Sequence, residues 1–215
     1  MAQITIISPV KLYKTGIQTT QADGHIKSIA LQQGSLDGAC AVYSTIISLM
    51  CLQQINIEDV DSNSGNVDKR TSKGRFLSKL LEQRGMNMLG WNLKTMAQEI
   101  NNTSDFNIKA TAIRKDYIDR IYDNILRDCP AILGISFKNQ KSGHAIVCIG
   151  VEESDEIEDT PTKLFCIDPG YSMPNTSYWN CMIILPKQYD DDTDFFYVVE
   201  NDLRKIKVDD AIIFD

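Results

Sequence analysis

Between residues 40 and 52 the chain reads CAVYSTIISLMCL, an almost unbroken apolar run of about 13 residues, longer than a typical strand and shorter than a bilayer span. A helix this apolar on nearly every side has no face to give to water, so it belongs in the middle of a core. Asp37-Gly38 in front of it supplies a turn, and the polar stretch 59–70, with Gly65, separates it from the next helical segment. The 215 residues are enough to bury a sizeable core around such a helix as one domain.

The remaining periodicities divide the chain. Strand-like segments at 3–7 and 25–31 flank a polar connection with Gly16 and Gly24. Amphipathic helices are predicted at 71–84, where Phe76, Leu77, Leu80 and Leu81 share a face, at 93–100, and at 115–127 before Pro130. A strand is predicted at 106–113 between the last two. Beyond residue 130 the pattern is that of strands, at 131–137, 144–152, 163–168, 178–185, 195–199 and 208–214. Helices followed by strands predict an α+β fold, with a helical half over about 36–128 and a strand half over about 129–215.

A formal charge of −7 argues against nucleic acid as a partner, because phosphate neutralisation needs an excess of Lys and Arg. No stretch has the length and apolarity of a membrane span, and the opening residues lack signal-peptide character, so the expected location is the cytoplasm. The six cysteines are scattered singly, mostly in apolar runs, and are read as reduced. The acidic segments 152–159 and 190–194 are expected as solvated hairpin tips, with a protein partner as the other reading.

Chemistry concentrates at three places. Cys40 follows a glycine-containing turn and opens the apolar helix, where unpaired N–H groups favour a thiolate. Of the two histidines, His25 begins a strand after Asp23-Gly24, whereas His144 stands at the mouth of the apolar strand Gly143-His144-Ala145-Ile146-Val147. An imidazole paired with a thiolate needs a third group on its other nitrogen. If 153–162 form a hairpin turn, the next strand returns antiparallel and brings Asp168, in Ile167-Asp168-Pro169-Gly170, back beside His144. Asn175 and Asn180 are the reserve candidates for that orienting role.

The segment Gln33-Gly34-Ser35-Leu36-Asp37-Gly38-Ala39-Cys40, then Gly143-His144-Ala145-Ile146-Val147, then Ile167-Asp168-Pro169-Gly170, resembles the papain-like cysteine peptidases. Within that superfamily the chain is most similar to the bacterial double-glycine leader peptidases of bacteriocin exporters. The resemblance implies a central N-terminal helix packed on an antiparallel sheet. It also implies a triad in which Cys40 attacks an acyl carbon, His144 moves the proton and Asp168 orients His144. An upstream glutamine is implied as oxyanion donor. It usually stands six residues before the cysteine, whereas Gln33 stands seven before (40 minus 33) and Gln32 eight, and the turn 34–39 has glycines able to absorb the extra residue. The residue after the nucleophile, often Gly in this branch, is Ala41 here.

The implied reaction is hydrolysis of a peptide or isopeptide bond in a peptide or protein substrate, with no cofactor and no metal. Alternatives on the same residues are an amidase or deamidase, a cell-wall peptide hydrolase, and a binding module without turnover. Zinc has only half a site in His144 and Cys148, without Cys-x-x-Cys or His-x-x-x-His. Phosphate-loop, dinucleotide and Gly-x-Ser-x-Gly signatures do not occur.

Overall fold

The structure, a computed structural model, describes residues 2–34, 39–60, 68–82, 92–138, 143–154 and 160–215. Strand β1 (Gln3–Ile6) is followed by a small antiparallel meander of β2 (Val10–Tyr13), β3 (Gly16–Thr20) and β4 (Ile26–Ser28). Helices α1 (Cys40–Cys51), α2 (Ser72–Glu82) and α3 (Leu93–Asn101) come next, then β5 (Ala110–Ile113) and α4 (Tyr117–Leu126). Six strands complete the chain: β6 (Ala131–Phe137), β7 (Gly143–Glu153), β8 (Pro161–Ile167), β9 (Cys181–Ile184), β10 (Phe195–Val199) and β11 (Asp202–Phe214).

These last six strands close on themselves. Each pairs antiparallel with its neighbours in the order β7-β6-β11-β10-β9-β8, and β8 pairs back to β7. The α+β expectation, a papain-like central helix packed on an antiparallel sheet, is therefore corrected: the described residues form a closed six-stranded antiparallel barrel, mostly β, with four short helices. The physical reason lies in two long strands. β7, at 11 residues, holds β6 along Gly143–Cys148 and β8 along Val147–Glu153, with a register shift at Cys148/Gly150. β11, at 13 residues, holds β10, then β6, then β5, with a shift between Val208 and Asp210. Such irregularities bend a strand and increase its twist, which turns a sheet into a barrel. Local periodicity identifies strands; it does not report that the first and last of them meet.

The sheet also takes in strands from before residue 129. β1 pairs with Gly150–Glu153 of β7, continuing the barrel wall where β6 ends, and β5 pairs with the last four residues of β11. Strands β2 and β3 occupy the segment whose polar composition predicts only a connection. Their alternation is short, and Gly16 takes a left-handed φ of 103° to make the turn between them. Among the described residues no helix is long and apolar enough to cross a membrane.

Alternation sorts the barrel side chains. On β10, Phe195, Tyr197 and Val199 are buried while Phe196 is exposed. Cys148, Cys166 and Cys181 are register partners across β7, β8 and β9, and all three thiols are buried side by side. All six cysteines are free thiols. α1 lies outside the barrel against β7, and the Ser44 hydroxyl donates to the Ala145 carbonyl at 3.1 Å. Nine of its residues are buried, which accounts for the apolar run 40–52.

Of the two acidic segments, 155–159 lies outside the described residues. In the other, Asp192 and Asp194 pair with Lys207 and Lys138 at 3.7 and 3.6 Å, and Asp191 accepts from the Asp116 N–H at 3.0 Å. Asp190, Asp191 and Asp192 are exposed, as expected of a solvated tip between β9 and β10.

Gly150 marks a close approach. A Cβ there would stand 2.7 Å from the Thr5 carbonyl oxygen and press on Ile6, both in β1. Gly150→Ala is expected to loosen β1 from the barrel and destabilise the fold by about 1–3 kcal/mol, read as a lower denaturation midpoint. An unchanged midpoint would show that β1 contributes little to the barrel.

Candidate active site

Cys40 is the first residue of α1, after an Ala39 whose methyl side chain cannot accept from the helix N–H groups, so the thiol stands at the positive end of the backbone dipole. His144 is the second residue of β7, at the rim of the barrel. Asp168 follows the last residue of β8, and antiparallel pairing of β7 with β8 returns it to His144. His144 Nε2 lies 2.8 Å from each carboxylate oxygen of Asp168. Its Nδ1 is thereby left for Cys40, whose thiol is close enough to the imidazole for each to shift the other's titration. The structure thus brings Cys40, His144 and Asp168 together at one place, with His144 bonded to Asp168 and electrostatically coupled to Cys40.

The His144 side chain is 16% exposed and that of Asp168 is 0% exposed. The imidazole is reachable from outside and the carboxylate is not. Burial pushes the Cys40 thiol up, but the hydrogen bond and charge of His144, together with the N–H groups of Ala145 and Ala41, outweigh it and hold the thiol below its ordinary 9.0. Burial pushes His144 down, but Asp168 and Cys40 more than reverse this and raise it to about 10. The two shifts have the signs of a thiolate–imidazolium pair. A thiolate is an attacking group, and an imidazolium held at Nε2 donates a proton from the side facing the thiolate.

Asp168 is held from several sides. Oδ1 accepts from the Gly170 N–H at 2.6 Å, and Oδ2 accepts from the Tyr197 hydroxyl. Its backbone is clamped by Asn180, which accepts from the Asp168 N–H at 2.7 Å and donates to the Asp168 carbonyl at 2.8 Å and the Tyr171 carbonyl at 3.2 Å. Asn180 is therefore fully engaged with backbone and does not stand in for Asp168 as orienter. Asn175 sits against Gly16, away from the imidazole.

Gln33 reaches the site from the N-terminal side. Its N–H donates to the Pro169 carbonyl at 2.8 Å, which ties residue 33 to the turn after Asp168. A Cβ on Gly170 would stand 3.6 Å from both Gln33 Nε2 and His144 Cε1. Gly170 thus lies close to both that amide and the imidazole. Gln32 is exposed. The turn 35–38 lies outside the described residues.

His25 is exposed on a turn, where its N–H donates to Asp23. The Cys148 thiol donates to the Gly150 carbonyl, inside the barrel, while His144 is engaged by Asp168 and Cys40. Among the described residues no three His, Cys, Asp or Glu side chains are placed to share a metal ion.

Sequence reasoning missed Tyr197 and Phe137. The Phe137 ring lies 6.2 Å from the His144 ring and 5.6 Å edge-on from Tyr197, and the Arg204 guanidinium sits over it, 5.5 Å from the ring centre. The alternation in Phe195-Phe196-Tyr197-Val198-Val199 marks 195, 197 and 199 as one face, but nothing local says that this face meets Asp168. Comparison with protein-family models and with curated proteins gives no match to this chain.

Proposed function

We propose that this protein is a cysteine hydrolase that cleaves a peptide or isopeptide bond through an acyl-enzyme on Cys40. The observation that carries this reading is the His144–Asp168 hydrogen-bonded pair coupled to the Cys40 thiol at the N-terminus of α1. In the proposed reaction the Cys40 thiolate attacks the acyl carbon and the His144 imidazolium gives its proton to the departing amine. Neutral His144 then takes a proton from water as it attacks the thioester, and Cys40 leaves as thiolate. The Cys–His–Asp order resembles that of papain-like peptidases, and the resemblance supports the reaction class; the architecture is a separate matter.

Alkylation tests the reading without a known substrate. With Cys40 below 9.0 and His144 at about 10, a reactive thiolate exists at pH values where an ordinary thiol is protonated, and the ion pair persists until the imidazolium is lost near the upper value. Iodoacetamide at pH 6 is expected to label Cys40 in the wild type and to label it far more slowly in His144→Ala. Equal, slow labelling of both would overturn the proposal.

Gln33 is proposed as the oxyanion donor together with the Cys40 N–H. Gln33→Ala is expected to slow acylation on the order of 100-fold to 1000-fold while leaving alkylation nearly unchanged, since an alkylating carbon develops no oxyanion. Gln32→Ala is expected to change neither. Glycine-rich peptides and cell-wall fragments are the substrates to try against wild type. Cleavage of neither class, despite a reactive Cys40, would favour a binding module instead.

A further inference from the structure

Tyr197 donates its hydroxyl to Asp168 Oδ2 from β10, across the barrel interior from β7, and both side chains are completely buried. The two carboxylate oxygens are served unequally. Oδ1 has a backbone donor, the Gly170 N–H, fixed by the turn; among the described residues Oδ2 has, besides His144, only Tyr197. The ring is itself fixed. Phe137 packs edge-on against it at 5.6 Å and continues to the His144 ring at 6.2 Å.

We propose that Tyr197 is a positioning residue, which holds the Asp168 carboxylate in the plane of the His144 ring and shares its negative charge, so that the imidazole stays able to release its proton. This role rests on the Cys40–His144–Asp168 hydrolase reading and deepens it. Charge balance around the imidazole decides the matter. His144 faces Cys40 from α1 and Asp168 from the end of β8, and Asp168 faces Tyr197 from β10 and Cys181 from β9. Arg204 of β11 stands behind Phe137 and bonds Asp202 and Tyr171. With the hydroxyl gone, Oδ2 turns its whole charge toward Nε2, the imidazolium becomes too stable, and proton delivery to a leaving group suffers.

The chain has only two histidines, so imidazole resonances of ¹⁵N-histidine-labelled protein separate His144 from His25, which serves as internal reference. Tyr197→Phe is expected to move the His144 titration upward by on the order of half to one pH unit. It is also expected to slow cleavage of a peptide p-nitroanilide, whose amine needs a proton to leave, about 10-fold, with the alkaline limb of its pH profile displaced the same way. Tyr189→Phe, which removes a Tyr–Asp hydrogen bond at Asp119 instead, is expected to leave both unchanged. 3-Fluorotyrosine at 197 keeps the ring and strengthens the donor, so it is expected to move His144 downward; it gives the answer should Phe not be tolerated.

A His144 titration identical to wild type in both variants, or one moving opposite to these signs, would overturn the inference and reduce Tyr197 to a space-filling ring. If wild-type His144 titrates like His25 and Cys40 reacts like an ordinary thiol, the hydrolase reading itself falls and Tyr197 falls with it. A coupled wild-type pair with indifferent Tyr197 variants overturns only the positioning role.

Discussion

Asp168→Asn is expected to leave the barrel folded and to lower turnover on the order of 10⁴-fold. The Gly170 N–H, 2.6 Å from Oδ1, keeps the amide oxygen on its side, so the amide nitrogen takes the place of Oδ2. There it faces the Tyr197 hydroxyl and His144 Nε2, both of which were donors. The tyrosine can turn its proton away and accept. The imidazole keeps a neutral amide oxygen at the Oδ1 position, 2.8 Å from Nε2, but loses the carboxylate charge that favours its protonated form. With the imidazolium weakened, His144 holds the Cys40 thiolate less well, so low-pH alkylation is expected to fall along with turnover. The unmet donor costs the fold about 1–3 kcal/mol, visible as a lower midpoint but not as unfolding. Wild-type turnover in Asp168→Asn would remove Asp168 from the orienting role, and Asn180, with both amide ends on backbone groups, is not free to replace it.

Cys40→Ala is expected to bring turnover to the background rate, a loss on the order of 10⁶-fold. No other thiol is placed to substitute. Burial pushes Cys51 up to about 12 and raises Cys166 and Cys181, and Cys129 is raised as well. Wild-type protein treated with iodoacetamide at pH 6 should therefore carry one adduct, on Cys40, and the Ala variant none, which intact mass measurement and then peptide mapping check. Substantial turnover in Cys40→Ala would mean that the reaction uses a different nucleophile.

Both expectations depend on contacts whose partners are far apart in sequence, and that separates the legible from the hidden. The apolar run at 40–52 could only be a buried helix, and α1 spans Cys40–Cys51. The short span between His144 and Asp168 is a local hairpin relation, so their proximity came from chain reversal alone. Helix positions α2 to α4 came from 3.6-residue spacing, because each buries one stripe and exposes the other.

Closure of the barrel was not legible. A strand buried on its inner face shows the same alternation in an open sheet and in a closed one, and the choice depends on whether the last strand, β11, returns to the first, β6. Only that closure carries β10 across the interior from β7 and places the Tyr197 hydroxyl on Asp168, 29 residues away in sequence. Periodicity and turns within a few residues were enough to define the nucleophile's helix and the hairpin that pairs base with orienter. Fold class, the clamp of Asn180 on Asp168, the approach of Gln33 through Pro169 and the fourth partner Tyr197 emerged only in three dimensions, because each requires a long-range contact that no local pattern encodes.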